Sequence, residues 1–143
     1  KLLGAQTSEF KGNDNSPVDR IYIRYADVLL WKAEALIRSN QVPAAVVLIN
    51  QIRARARAGQ AHVLPDHNAQ ATDAAVAMQW LQAERRVELG LGPHRMSDLR
   101  RWKIAKATLT AMGKSFMDKH NLYPIPQAEV DKTVGKIAQN PGY

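Results

Sequence analysis

Two carboxylates stand one helical turn apart near the middle of the chain, Glu84 and Glu88 in the stretch "LQAERRVELGLGPHRMSDLRRW" (81–102). A pair of carboxylates on one side of a helix is an arrangement that can support general acid–base catalysis. Four arginines lie close to the pair in the sequence: Arg85, Arg86, Arg95 and Arg101. Carboxylates that face arginines usually form ion pairs. The residue types therefore favour a structural charge network over a catalytic pair.

The glycines in the same stretch invite comparison with a phosphate-binding loop. Gly90, Gly92 and Pro93 interrupt two helical patterns. No Gly-Lys-Ser/Thr sequence follows them, and they come after a helix, whereas a phosphate loop comes after a strand. The segment is therefore interpreted as a helix C-terminus followed by a turn that Pro93 fixes.

The remaining reactive side chains form no catalytic or metal-binding pattern. The histidines show no i, i+4 pairing and have no acidic cluster beside them; they are His62, His67, His94 and His120. Ser97 and Ser115 lack the context of a nucleophile elbow, and the chain has no cysteine. We therefore predict no catalytic residue, no metal and no cofactor, and the residues alone identify no ligand-binding side chain.

The elements that must position these residues are predicted to be helices. Apolar residues recur at i, i+3, i+4 spacing over about 21–39, from Pro43 to Ala58, from Thr72 or Asp73 to about Leu89, and over about 97–112. Residues 1–19 and 60–71 are predicted to be loops, and "YPIPQAEV" (123–130) an extended turn with one helical turn. No strand alternation appears, so the predicted class is all-α. Three aromatic residues are predicted to be buried at helix crossings: Tyr25, Trp80 and Trp102.

The first two helices have the spacing of a tetratricopeptide unit. Leu29, Lys32, Ala33 and Leu36 are followed by Ala45-x3-Ile49. Small residues such as Ala33 and Ala45 let two helix backbones approach closely. The pattern predicts a packed helix pair and says nothing about a ligand.

Charge and hydropathy exclude some functions and leave others open. The 143 residues carry a formal net charge of +7, which permits a partner such as nucleic acid. The cations are scattered, however, and the Arg53–Arg57 group is accounted for by its place near a helix C-terminus. No apolar run approaches the roughly 20 residues of a membrane span. The chain begins at Lys1, without an initiator methionine, and its first residues are polar and turn-rich. Residues 1–19 are therefore interpreted as a partial segment cut from a longer protein.

Four stretches taken in order resemble the C-terminal region of the SusD/RagB family. They are "YIRYADVLLWKAEALI" (22–37), "AAVVLINQIRARA" (44–56), the stretch 81–102 and the ending "YPIPQAEV…QNPGY" (123–143). The family's motif positions include Arg24, Tyr25, Glu34, Asn50, Arg53, Glu84, Arg85, Glu88, Arg95, Asp98, Arg101, Trp102, Asn140, Pro141, Gly142 and Tyr143. Two positions depart from the pattern: Asp27 replaces a glutamate, and Gly92-Pro93 replaces Glu-Gly.

The resemblance implies a protein that is not an enzyme. It implies a SusD-like fold of tetratricopeptide-like helix pairs with long irregular loops and an extended C-terminal tail, occupying 20–143 here. Members are outer-membrane, cell-surface lipoproteins of Bacteroidota that hold an oligosaccharide or peptide for a SusC-like TonB-dependent transporter. Membrane contact would then be made only by a lipid anchor outside this chain. The motif residues given above are expected to be scaffold, with Glu84, Glu88, Arg95, Asp98 and Arg101 in one charge network and Trp102 packed behind it.

Two other functions stay open from the residues alone. One is a stand-alone tetratricopeptide-like module that binds a protein partner. The other is a basic helical domain that binds nucleic acid, for which phosphate contacts would weaken steeply as salt rises. The resemblance favours the glycan-binding lipoprotein and expects no nucleic-acid partner.

Overall fold

The computed structural model describes residues 21–60 and 62–143. These residues form six α-helices and a 3-10 turn, and no strand occurs among them. The helices are α1 (Tyr25–Arg38), α2 (Val42–Arg57), α3 (Ala74–Glu88), α4 (His94–Arg101), α5 (Ala105–Ala111) and α6 (Gln127–Lys132), and the 3-10 turn is Asp118–Asn121. The predicted all-α class is confirmed.

Contacts divide the chain into two units, Lys1–Glu84 and Arg85–Tyr143, with the division inside α3. The predicted N-terminal segment 1–19 lies outside the described residues, so its boundary with the helical domain stays a prediction. Among the helices of the described part, none is both long and apolar enough to cross a membrane.

In the first unit, α1 and α2 pack as the predicted helix pair. Ala33 and Ala45 are completely buried, which brings the two backbones together as their spacing predicted. The apolar residues around them are Leu30, Ile37, Val42, Val46, Ile49 and Ile52. Burying each such side chain is worth roughly 1.5–3 kcal/mol, so this interface is the main stabilising element of the unit.

Hydrogen bonds at the helix ends explain where α1 stops and α3 begins. Asn40 has a left-handed φ of 61°, and the Gln41 amide donates to the Leu36 carbonyl at 2.8 Å, which closes the C-terminus of α1. At α3, the Asp73 carboxylate accepts from the amides of Ala75 (2.8 Å) and Val76 (3.2 Å). Of the two predicted N-caps, Thr72 and Asp73, the structure uses Asp73.

The prediction of one helix over 97–112 is wrong, because two short helices occupy this region. α4 begins earlier, at His94, and ends at Arg101. Lys103 has a left-handed φ of 61°, and the Ile104 amide donates to the Leu99 carbonyl at 3.0 Å. This hydrogen bond and the packing of Ile104 against Leu99 form a Schellman motif that turns the chain into α5.

The second unit has a small apolar core beside this turn. Leu99, Ala105 and Phe116 are buried there, and Met96, Ile104 and Leu109 pack against them. Beyond it, α6 starts directly after Pro126, which agrees with the helical turn predicted within 123–130. α4, which carries Asp98 and Arg101, is held in this core by the turn into α5.

Candidate functional site

Three residues of α2 hold the 62–71 loop in place. Asn50 donates to the His67 carbonyl at 2.8 Å and accepts from the His67 amide at 2.9 Å. Arg53 donates to the Pro65 carbonyl from Nε (3.0 Å) and Nη2 (2.8 Å). Arg57 donates to the Leu64 carbonyl at 3.0 Å and pairs with Asp66 at 2.8 Å. The loop backbone is thus bound along one helix face.

Arg53 also links α2 to α3. Its Nη1 donates to Glu84 Oε2 at 3.0 Å, and both side chains are largely buried. His67 stacks on Trp80 of α3, with ring centroids 4.3 Å apart and planes 7° from parallel. Burial lowers the pKa of His67, the nearby Arg53 charge lowers it further, and Asp66 acts in the opposite direction. Glu84 is therefore part of a structural ion pair with an arginine on another helix.

In the second unit, Asp98 is the acceptor for two arginines. Its Oδ2 accepts from Arg85 Nε at 2.8 Å, and only 2% of the Arg85 side chain and 6% of the Asp98 side chain are exposed. Its Oδ1 accepts from Arg101 Nε at 2.9 Å. Both carboxylate oxygens of Asp98 are therefore engaged in charge-assisted hydrogen bonds to guanidinium groups.

The predicted charge network is only partly what the structure shows. Asp98 and Arg101 are joined as expected, while Glu84 bonds Arg53 instead. Trp102 lies under the Arg101 guanidinium, whose carbon is 4.6 Å from the ring centroid. Glu88 is half-buried at the end of α3. The grouping of these residues as scaffold stays a prediction.

The corner between α3 and α4 turns at Leu91, which the sequence did not single out. Leu91 has a φ of 65° and is fully exposed, while Gly90 and Gly92 do not have left-handed φ values. At Gly92 the requirement is space, because a Cβ would lie 3.0 Å from the Leu89 carbonyl oxygen. Pro93, with φ −76°, precedes the first residue of α4.

A cavity of about 290 Å³ opens beside this corner. Arg86, Arg95 and Asp98 line it together with Leu89, Leu109 and Met112. Burial lowers the pKa of Arg95, the Arg86 charge lowers it further, and Asp98 raises it. The corner therefore combines a closed ion-pair group with a partly open, arginine-lined cavity.

The C-terminal motif folds back on the segment that precedes α6. Tyr143 donates from its hydroxyl to the Leu122 carbonyl at 3.1 Å, and Asn140 donates to the Tyr123 carbonyl at 2.7 Å. Lys119 donates to the Gly142 carbonyl at 3.1 Å, and its Nζ lies 4.9 Å from the Tyr143 ring centroid. Pro141 and Gly142 form the turn between Asn140 and Tyr143, whose amide donates to the Asn140 carbonyl at 3.3 Å.

Gly142 is required by two features of that turn. Its φ is 90°, a value that side chains disfavour, and an added Cβ would lie 2.9 Å from the Cβ of Lys119. The end of the chain is therefore a specific closure and not a loose tail.

The motif residues of α1 differ in how far they are buried. Glu34 is buried and pairs with Arg38 at 2.9 Å one turn away. The prediction that Tyr25 is buried is wrong, because 70% of it is exposed. Tyr25 is the first residue of α1, and it lines a cavity of about 400 Å³ together with Arg24, Leu29, Ile52 and Arg55. Trp80 and Trp102 are half-buried in their ring contacts.

Sequence reasoning missed several of the residues that form these contacts. Arg57 binds the 62–71 loop, and His67 joins that loop to Asn50 of α2 and to Trp80 of α3. Arg100 donates to the His120 carbonyl at 2.6 Å, and its guanidinium carbon lies 4.4 Å from the Tyr123 ring centroid. A signal was present for the α2 residues, because Asn50, Arg53 and Arg57 share one helix face at i, i+3, i+7. Nothing in the sequence indicated that Arg100 faces Tyr123. Within the described ranges, no group of three or more His, Asp or Glu side chains is placed to hold a metal ion.

Comparison with known proteins identifies a family and several similar proteins. The model of the SusD family matches residues 1–143. "SusD-like protein P2" of Formosa agariphila is 29% identical over 137 residues, which are 90% of this chain and 26% of that protein. The crystal structure of a SusD superfamily protein from Bacteroides vulgatus superposes with a TM-score of 0.72 at 32% identity, over 85% of this chain and 27% of that one. A SusD-like protein from Bacteroides fragilis gives a TM-score of 0.70 at 26% identity, over 86% and 26%.

The sequence and the fold therefore lead to one family. The chain spans about a quarter of the length of the relatives it matches. Because the family model covers every residue, this chain belongs to the SusD family.

Proposed function

We propose that this chain is the C-terminal scaffold of a cell-surface lipoprotein that captures an oligosaccharide for a SusC-like, TonB-dependent transporter. The observation that carries the proposal is the match of the SusD family model over 1–143. The protein acts on the outer face of the outer membrane, anchored by a lipid outside this chain. It binds the glycan and does not cleave it.

The contacts of the motif residues support a scaffold role for this part of the protein. Arg53 is engaged with Glu84 and with the Pro65 carbonyl. Asp98 is engaged with Arg85 and Arg101. Side chains that are buried in ion pairs are not available to a ligand, so these motif residues support the fold and do not contact the glycan.

A glycan array probed with the full-length protein tests the capture function, and purification from outer membranes tests the transporter partnership. We expect binding to a defined set of oligosaccharides, no release of new reducing ends during incubation, and recovery of a TonB-dependent transporter with the protein. Absence of glycan binding together with absence of the transporter would contradict the proposal. Release of new reducing ends by the pure protein would contradict its non-catalytic part.

One observation favours a second function, a module that binds a protein partner. α1 and α2 form a tetratricopeptide-like pair, and Tyr25, Val28 and Trp31 remain exposed on α1. Cross-linking from a photoreactive group placed at Val28 in the full-length protein separates the two ideas. Cross-links within the same polypeptide or to the transporter agree with the scaffold, and cross-links to an unrelated soluble protein favour the module.

A further inference from the structure

The cavity beside the α3–α4 corner is lined by more arginines than carboxylates, so its lining has a net positive charge. Asp98 is the acidic residue in its lining, and Arg85 and Arg101 already engage that carboxylate. Arg86 and Arg95 line the same cavity and add two further positive charges to it. The lining therefore favours an anion.

The two arginines are close enough to influence one another. The charge of Arg86 lowers the pKa of Arg95, in addition to the larger effect of burial. Two guanidinium groups held near each other repel, and an anion placed between them relieves the repulsion. A guanidinium also presents paired N–H donors that match the two oxygens of a carboxylate.

The start of α4 adds to the positive potential of this cavity. α4 begins at His94, next to the lining residues Gly92 and Arg95, and Pro93 at its N-cap supplies no side-chain hydrogen bond within the described residues. The first backbone N–H groups of a helix lack intrahelical partners and carry roughly half a positive charge together. This position supports an anion at the same end of the cavity as Arg95.

Part of the cavity wall is apolar. Leu89, Leu109 and Met112 contribute hydrocarbon to the lining, and Thr108 adds a hydroxyl. An apolar wall next to two cations suits a ligand with a charged end and a body rich in C–H groups. It disfavours a doubly charged group, because removing a second charge from water beside hydrocarbon costs more than removing one.

We propose that this cavity is a subsite for a sugar ring that carries one singly charged oxyanion, with Arg86 and Arg95 as the residues that bind the charge. Its volume of about 290 Å³ is at the lower limit of small-molecule pockets, so it accepts one ring. The identification of the ring as a sugar rests on the proposed function. The charge is that of a carboxylate, as in a uronic acid, or of a sulfate ester, and the experiment distinguishes these two sources.

Calorimetric titration of the full-length protein with four probes tests the site: glucuronate, glucose 6-sulfate, glucose and inorganic phosphate. We expect at least one of the two acidic sugars to bind about tenfold or more tightly than glucose, since a hydrogen bond to a charged group contributes about 1.5–3 kcal/mol. Binding by glucuronate alone assigns a carboxylate ligand, and binding by glucose 6-sulfate alone assigns a sulfate ester. Inorganic phosphate binding as tightly as the sugars would show an adventitious ion only and would overturn the proposal.

Arg86→Gln and Arg95→Gln test the assignment of the residues. Each should weaken the acidic sugar about tenfold and leave the weak binding of glucose unchanged. Arg86 is exposed, so its variant keeps the fold even if Arg95→Gln does not. Lys114→Gln is the matched control, because Lys114 is exposed, lies in the same unit and is not part of the cavity lining. An equal loss in the Lys114 variant, or no loss in the Arg86 variant, would contradict the site.

The subsite and the proposed function can fail separately. If the full-length protein binds neutral oligosaccharides on the array but does not prefer an acidic sugar to glucose, the subsite is wrong and the function stands. If glucuronate binds and Arg86→Gln abolishes the preference, while no oligosaccharide binds and no transporter is recovered, the subsite stands and the capture function is wrong.

Discussion

At the scale of single residues, two polar side chains, Asp98 and His67, lead to testable predictions about stability. Asp98 compensates the charge of Arg85, which is almost completely removed from water. A buried ion pair adds little stability compared with an apolar pair, but removing one partner leaves a buried charge uncompensated. His67 is the second such group, since its half-buried ring stacks on Trp80.

Replacement of Asp98 by alanine should destabilise the fold strongly. The Arg85 side chain is only 2% exposed and would lose its 2.8 Å ion pair with Asp98, so we expect Asp98→Ala to lower the free energy of unfolding by about 3–4 kcal/mol. Chemical denaturation of the full-length protein measures this change. Asp118→Ala is the control, because its pair with Lys106 is exposed on both sides and should cost no more than about 1 kcal/mol. Equal losses in the two variants would show that the Asp98 carboxylate has no special structural role.

His67 should make stability depend on pH. Its pKa is lower in the folded protein than the ordinary value of about 6.5, so the unfolded chain binds the proton more readily. The contribution of His67 is fully present above about pH 6.5 and is lost as the pH falls from there toward the lowered pKa. Thermal unfolding of the full-length protein between about pH 7.5 and pH 5 should show this decrease.

His67→Phe isolates the effect, because phenylalanine keeps a flat ring against Trp80 and cannot take up a proton. The variant should lose part of the decrease in melting temperature on acidification, while His62→Phe, at an exposed position in the same loop, should not. A His67→Phe protein with the pH profile of the parent would contradict the assignment.

At the scale of elements, the helix termini determine how the charged residues are placed. α4 and α5 would be one helix if periodicity alone decided, and Arg101 and Trp102 would then continue regularly into the next turn. The left-handed Lys103 instead ends α4 directly after these residues. The chain tolerates this conformation because Ile104 is brought onto Leu99 in the small core.

Glycine at position 103 should stabilise this turn. A left-handed conformation costs a residue with a side chain roughly 1–2 kcal/mol, and glycine avoids the cost but loses about 0.5–1 kcal/mol through the entropy of the unfolded chain. Lys103→Gly should therefore raise the free energy of unfolding by about 0.5–1 kcal/mol, measured by chemical denaturation. Lys114→Gly, at an exposed lysine without a left-handed φ, should lower it instead. A decrease in both variants would mean that the Lys103 turn is not strained.

At the scale of the whole chain, the distribution of charge matters more than its sum. The net charge is +7, but the cations do not all face solvent. Arg53 is bound to Glu84 and to the loop, and Arg85 and Arg101 are bound to Asp98. A nucleic-acid-binding surface needs a stripe of available cations, which these internal contacts remove.

We therefore expect no complex between the protein and duplex DNA. An electrophoretic mobility assay at about 0.15 M salt should show no shift, because non-specific phosphate contacts become weak at this salt concentration. The same assay at about 0.05 M salt is the control for weak, charge-driven association. A shift at both concentrations, with an affinity that falls steeply between them, would contradict the expectation and favour the nucleic-acid function.

The class, the family and the helix pair could be predicted from the amino-acid sequence. Repeated apolar spacing identified the helices, because burial of one helix face requires that period. Ala33 and Ala45 predicted the close approach of α1 and α2, since only small side chains permit it. The motif residues from Arg24 to Tyr143 indicated the family before any contact between them was known.

The ion-pair partners and the break between α4 and α5 could be seen only in the tertiary structure. Glu84 pairs with Arg53, which lies 31 residues earlier, and helical i, i+3 or i, i+4 spacing cannot predict such a distant partner. Lys103 adopts a left-handed conformation because Ile104 gains a place in the core, although lysine itself does not favour it. Likewise, the cavity of Arg86 and Arg95 exists because α5 returns Leu109 and Met112 to the corner. These features depend on contacts between residues far apart in the sequence, and a local sequence pattern carries no information about such contacts.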